Sequence, residues 1–79
     1  ERIINMKEEI INIIARVAEV PKESINEKTN LTKDLALESL DLVTLVAEFE
    51  EYFQREIPDN EIKKIQTVED IIKYYQENA

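Results

Sequence analysis

Residues 34–53 read DLALESLDLVTLVAEFEEYF, and the later part of this stretch decides the fold. Leu42, Leu45, Val46, Phe49 and Phe53 recur at i, i+3, i+4, i+7 and i+11, one face of an α-helix. Leu40, Val43 and Ala47 make a second apolar row, displaced around the same helix. Two such rows exceed what a small bundle needs, so one is expected to cover a neighbouring helix and the other to face a partner or line a cavity. The helix is expected over 39–54. A single serine, Ser39, heads it between Glu38 and Asp41. Glu38, Asp41, Glu48, Glu50 and Glu51 fall within 38–54, and all ten Lys and Arg lie outside that window. The helix is therefore expected to carry an uncompensated negative field.

Working outward, Met6, Ile10, Ile13, Ile14 and Val17 place a first helix over residues 2–18. β-branched Ile is only a fair helix former, so packing is expected to hold this helix more than propensity does. Residues 19–38 read as a long loop opened by Pro21. Ser24 and Glu27 have capping-box spacing for at most a short turn. Val20, Ile25, Leu31, Leu35 and Leu37 are expected to pin the loop to the helices. After Phe53, Pro58 stops the chain from continuing as helix, and Asp59 is placed to cap a short helix through about Lys64. Thr67 is expected to cap a last helix with Glu69 and Asp70 in its first turn and Val68, Ile71, Ile72 and Tyr75 on its buried face. The expected fold is all-α: a small four-helix bundle in one domain, residues 1–79, with three main helices, a short third helix and a long connection between the first two.

Composition narrows the function. With 43% hydrophobic residues the chain can build a core, and with no Cys that core must hold the fold without disulfides. This fits a reducing, cytoplasmic setting. No apolar run approaches a membrane span. No His and no Cys are present to bind metal, so no metal site is expected. Eighteen acidic against ten basic residues give a net charge of −8, which disfavours nucleic acid and anionic membranes and favours basic protein partners. A monomer is expected. The absence of Gly removes glycine-rich phosphate loops.

Ser39 is then the residue to explain. A serine nucleophile needs a base near neutral pKa, and with no His there is none in reach of the pattern, so an enzyme is not expected. Two readings remain. Ser39 is an N-cap whose hydroxyl accepts from an orphan backbone N–H, and the acids are a solvated face. Alternatively, Ser39 is an exposed anchor for a phosphate ester, stabilised by the free N–H groups and the positive end of the helix dipole. The carboxylates then mark the serine for basic enzymes.

The whole chain resembles an acyl carrier protein. The segment ESLDLVTLVAEFEEYFQREIPDNEIKKIQTVEDIIKYY, residues 38–75, is similar to that family's Asp-Ser-Leu motif, acidic second helix, Ile-Pro-Asp turn and Thr-Val-x-x-x-x-x-Tyr last helix, without gaps. LTKDLAL, residues 31–37, is similar to the Asp-Leu segment ahead of the motif. The resemblance implies that Ser39 takes a 4′-phosphopantetheine arm from coenzyme A through a phosphopantetheinyl transferase. The arm would supply the thiol that the chain lacks and would carry acyl groups as thioesters. It implies docking of acyl-transferring and chain-modifying enzymes with basic surfaces on Glu38, Asp41, Glu48, Glu50 and Glu51 and on the apolar row Leu40, Val43 and Ala47. It implies an interior of Leu45, Val46, Phe49, Phe53, Ile57, Ile65 and Ile71, where some family members shelter the acyl chain.

Four positions depart from the family. Ala36 stands where Gly is frequent; if φ is positive there, Ala costs about 1 kcal/mol and the loop bends differently. Glu38 replaces the usual Asp. Thr44 stands where fatty-acid carriers often have an acid, and Leu42 where they often have a small polar residue. These departures favour a specialised carrier of polyketide, lipid or peptide chemistry over the housekeeping fatty-acid carrier. A carrier-like scaffold that is never modified and a peptidyl or D-alanyl carrier are the alternatives.

Overall fold

In a computed structural model, residues 6–77 are described, and they form four α-helices: α1 (Met6–Ala18), α2 (Ser39–Phe53), α3 (Asp59–Ile62) and α4 (Val68–Glu77). The expected start of the first helix, residues 2–5, lies outside the described residues. Among these no strand forms; one isolated antiparallel bridge joins Asn30 to Thr67. α1 packs on both α2 and α4. It does so through Ile10, Ile13 and Ile14, which are buried, as its spacing required. α2 buries Leu45 and Phe49; α4 buries Val68, Ile71, Ile72 and Tyr75. Ile57 closes the core between α2 and α3.

The connection over 19–38 is ordered by three mechanisms. Ile25, Leu31 and Leu37 are buried, and Val20 and Leu35 pack half-buried against the same core, so the expected pins hold. Asn30 organises a turn: its Oδ1 accepts from the N–H groups of Thr32 (3.0 Å) and Lys33 (2.9 Å), while the Asp34 carboxylate accepts from the Asn30 N–H at 2.8 Å. The loop also serves the start of α4. Carbonyls of Thr29 and Glu27 accept from the N–H groups of Val68 (3.1 Å) and Glu69 (2.9 Å), two of the donors a helix start leaves without partners. Thr67 and Asp70 complete that end as a capping box, with the Thr67 N–H on Asp70 Oδ2 at 3.0 Å and the Asp70 N–H on Thr67 Oγ1 at 3.3 Å.

Ser24 and Glu27 do not form the box their spacing suggested. Ser24 ends a 3₁₀ turn, Lys22–Ser24, and donates its hydroxyl to the Pro21 carbonyl at 2.7 Å, while Glu27 pairs with Lys7 at 2.7 Å. The short helix is also set differently. Pro58 is its N-cap and Asp59 its first residue, because the Pro58 carbonyl takes the N–H groups of Glu61 and Ile62. The helix ends at Ile62 and continues to Lys64 as turn. α2 stops one residue early, at Phe53, because Gln54 turns left-handed with φ 57°. Glu19 and Ala36 are left-handed as well, with φ 58° and 57°. With no Gly in the chain, all three positions bear a Cβ that disfavours this conformation.

Candidate functional site

The backbone around Ser39 is set by the three residues before it. Ala36 turns left-handed, Leu37 drops into the core, and Glu38 is extended at φ −98°, ψ 175°. The position did need positive φ. The loop takes this left-handed bend with Ala in place.

Glu38, not Ser39, is the N-cap of α2. Glu38 and Asp41 stand in capping-box register, and the Asp41 carboxylate accepts from the Glu38 N–H at 3.0 Å. Ser39 is the first helical residue, so the cap reading of this serine fails: the residue before it already holds that place. Its side chain is exposed, and its hydroxyl makes no hydrogen bond to any described residue. The first N–H groups of a helix have no intrahelical acceptor, so the local field at Ser39 Oγ favours an anion. Serine, position and field therefore fit a phosphodiester. The exposed Glu38 and the half-buried Asp41, whose carboxylate is engaged in the cap, oppose it as neighbouring negative charges.

The acids of α2 divide by use. Asp41 is committed to the cap. Glu48 pairs with Arg16 of α1, Oε1 to Nη2, at 2.7 Å. The half-buried Glu50 accepts from the Ile57 N–H at 2.8 Å, tying the chain after α2 back onto the helix. Glu38 and Glu51 are exposed. The negative field is thus partly compensated, contrary to the sequence expectation: Arg16 is remote in sequence, but the packing of α1 on α2 delivers it.

The apolar row is open. Leu40 is 76% exposed, Val43 65%, and Ala47 is exposed beside them. Thr44, also exposed, donates its hydroxyl back to the Leu40 carbonyl at 3.1 Å. From Ser39 a groove runs between α2 and α3, walled by Leu42, Val43, Val46, Ala47, Ile57 and Ile62. Behind it lies a small apolar cavity of about 40 Å³. Leu42, Val46, Ile57 and Ile62 belong to both. Of the seven interior residues named from sequence, Leu45, Val46, Phe49, Ile57, Ile65 and Ile71 line the cavity. Phe53 does not. It stacks on Tyr75, ring centroids 4.2 Å apart, one turn beyond the cavity end. Leu31, Leu42 and Ile62 complete the lining and were not picked out. Leu42 lay in the helical stripe, but Ile62 and Leu31 reach the cavity from segments whose docking depends on the tertiary fold.

Comparison with known proteins agrees with this geometry. Residues 8–75 match the family model described as a phosphopantetheine attachment site. An acyl carrier protein of Lactobacillus acidophilus is 46% identical over 72 residues, covering 86% of this chain and 90% of that protein. One from Syntrophobacter fumaroxidans is 44% identical over 73 residues, covering 92% and 90%. Among solved structures, a protein of Anaplasma phagocytophilum described as an acyl carrier protein superposes with a TM-score of 0.86 at 32% identity, over 95% of this chain and 89% of that one. Proteins of this kind carry acyl groups and do not catalyse their chemistry. On the match to its attachment-site model and on these relatives, the chain belongs to the acyl carrier protein family.

Proposed function

We propose that this chain holds acyl intermediates as thioesters on a 4′-phosphopantetheine arm esterified to Ser39, and presents them to enzymes of fatty-acid, polyketide or related lipid synthesis. The observation that carries the reading is the exposed Ser39 hydroxyl, relieved of capping by Glu38, at the mouth of a groove that shares its inner wall with an apolar cavity. In the loading step Ser39 Oγ bonds to the phosphorus of coenzyme A that bears the pantetheine. The bond from that phosphorus to the adenosine bisphosphate breaks, and the serine proton leaves to solvent or the transferase. The arm supplies the thiol.

The rest of the site is recognition and shelter. Leu40, Val43 and Ala47 offer apolar contact, and Glu38 and Glu51 offer charge to basic enzymes, the phosphopantetheinyl transferase among them. Glu48 and Glu50 contribute less, being engaged by Arg16 and Ile57. The cavity residues Leu45, Val46, Phe49, Ile57, Ile65 and Ile71, joined by Leu31, Leu42 and Ile62, take the acyl chain. Leu42 at the shared wall and the uncharged Thr44 favour a dedicated pathway over general fatty-acid synthesis. Loading kinetics with primary-metabolism partners that equal a housekeeping carrier's would overturn that part.

Among the described residues no helix is long and apolar enough to cross a membrane, and the net charge of −8 speaks against nucleic-acid partners. The intact mass of the protein taken from its own host tests the proposal. A population bearing phosphopantetheine, acylated or not, supports it. A chain unmodified through growth makes it an acidic docking scaffold, and aminoacyl cargo on the arm makes it a peptidyl or D-alanyl carrier.

A further inference from the structure

The cavity behind the groove is small, about 40 Å³. A water-sized group needs roughly 10–15 Å³ of such space, and a methylene is of similar size, so about three carbons fit. The walls away from the groove do not yield. Leu31, Leu45, Phe49 and Ile71 are each no more than 2% exposed, and a close-packed interior has no slack to move them into. Phe49 closes the far end against the rings of Phe53 and Tyr75, with centroids 6.4 and 6.3 Å away. Tyr75 itself, whose buried hydroxyl has no hydrogen-bond partner among the described residues, stands behind Phe49 and is no part of the lining.

The wall toward the groove is different. Leu42, Val46, Ile57 and Ile62 face both spaces. Ile57 is buried, and its N–H is held by the Glu50 carboxylate at 2.8 Å; Val46 is the smallest of the four. Leu42 and Ile62 are the large, half-buried members. They come from the two sides of the groove, Leu42 from the first turn of α2 and Ile62 from the last residue of α3. Outside them the groove offers about 480 Å³, against about 40 Å³ within.

We propose that Leu42 and Ile62 set how much acyl chain the interior takes, and that the limit is a short acyl group: about three carbons beyond the thioester carbonyl. The inference deepens the carrier reading above and rests on it. Each carbon that enters exchanges water for contact with Leu45, Phe49 and Ile71, which is favourable. A further carbon finds no space, and making space displaces packed side chains. Every carbon beyond the limit therefore stays in the groove, against Val43 and Ala47. Truncating Leu42 or Ile62 to Ala removes about three carbons from the wall and opens room for a similar number from the cargo.

The test loads wild type, Leu42→Ala and Ile62→Ala at Ser39 with acetyl, butyryl, hexanoyl and octanoyl pantetheine arms, each product verified by intact mass. Readouts are Tm, relative to the same protein bearing the acetyl arm, and the NMR signals of the Leu45 and Ile71 methyls in the cavity and of the Val43 and Ala47 methyls in the groove. In wild type, Tm should rise by roughly 4 °C per carbon up to butyryl and then level off. The Leu45 and Ile71 signals should stop changing at the same length, while Val43 and Ala47 begin to respond at hexanoyl. Both Ala variants truncate half-buried side chains and should fold, and in each the break should move to hexanoyl or beyond. If wild-type Tm and the Leu45 and Ile71 methyls respond through octanoyl, the limit is refuted and the carrier reading stands. The wild-type series decides this even without the variants. A break that neither variant moves refutes the role of Leu42 and Ile62. If no chain moves the Leu45 and Ile71 methyls, the interior does not shelter cargo, and the inference falls with that part of the carrier reading. A Ser39 that takes no arm overturns the carrier reading itself, and the inference with it.

Discussion

Ala36→Gly should stabilise this protein, and the magnitude follows from the backbone. Ala36 sits at φ 57°. For an L-residue the left-handed region costs about 1–2 kcal/mol, because Cβ crowds the following carbonyl. Glycine has no such penalty, but it frees the unfolded chain by roughly 0.5–1 kcal/mol. The Ala36 side chain is exposed, so no buried contact is lost. The net gain is about 0.5–1 kcal/mol. In a domain of this size that corresponds to a rise in Tm of about 4 °C. Urea unfolding followed by helical circular dichroism should show a higher midpoint with an unchanged slope. Ala36→Val, β-branched at positive φ, should move the midpoint the other way. A glycine variant no more stable than wild type would refute the strain and, with it, the claim that Ala36 holds an unfavourable bend to aim Leu37 inward and Glu38 at the cap.

Three further outcomes are expected. Burial raises the Asp70 carboxyl pKa, but bonds from the Gln66 and Thr67 N–H groups and from the Thr67 side chain outweigh it and hold it below 3.8. A depressed folded pKa means stability present above the ordinary value and lost as pH falls through the folded one, so Asp70→Asn should flatten the acid limb of a stability curve and lose about 1 kcal/mol at neutral pH through the cap. For Tyr75 the sign reverses. Its phenol ionises from 10.0 upward in the unfolded chain and near 12 in the folded one, so stability should fall between those values, and Tyr75→Phe should abolish that part of the decline. Glu51→Lys should slow association with a basic partner enzyme, chiefly at low salt, and more than Glu48→Lys does, because Arg16 already neutralises Glu48; equal rates in stopped-flow binding would contradict the division of the acids.

The two apolar rows of α2 were legible because a helix converts spacing into direction: Leu45 and Phe49 went inward, Leu40 and Val43 outward. The loop pins were legible for a related reason, since an isolated Leu or Ile in a polar segment gains most by burial. The cap was not. Ser is favoured at N-caps over Glu, and what decides for Glu38 is the geometry that Ala36 and Leu37 impose. Nor was the Arg16–Glu48 pair, which spans 32 residues and needs the packing of α1 on α2. Phe53 packs against the core as its spacing required, but periodicity names a face and says nothing of where along it a cavity ends. Tyr75 was legible as a core residue, but its orphaned hydroxyl became visible only once every neighbour had been placed.

The central claim is that Ser39 is the attachment point. Its most direct test is the intact mass of the protein after incubation with coenzyme A and a broad-specificity phosphopantetheinyl transferase, with Ser39→Ala treated alongside. The account predicts one added phosphopantetheine on wild type and none on Ser39→Ala. No addition to wild type, or an equal addition to both proteins, would contradict it.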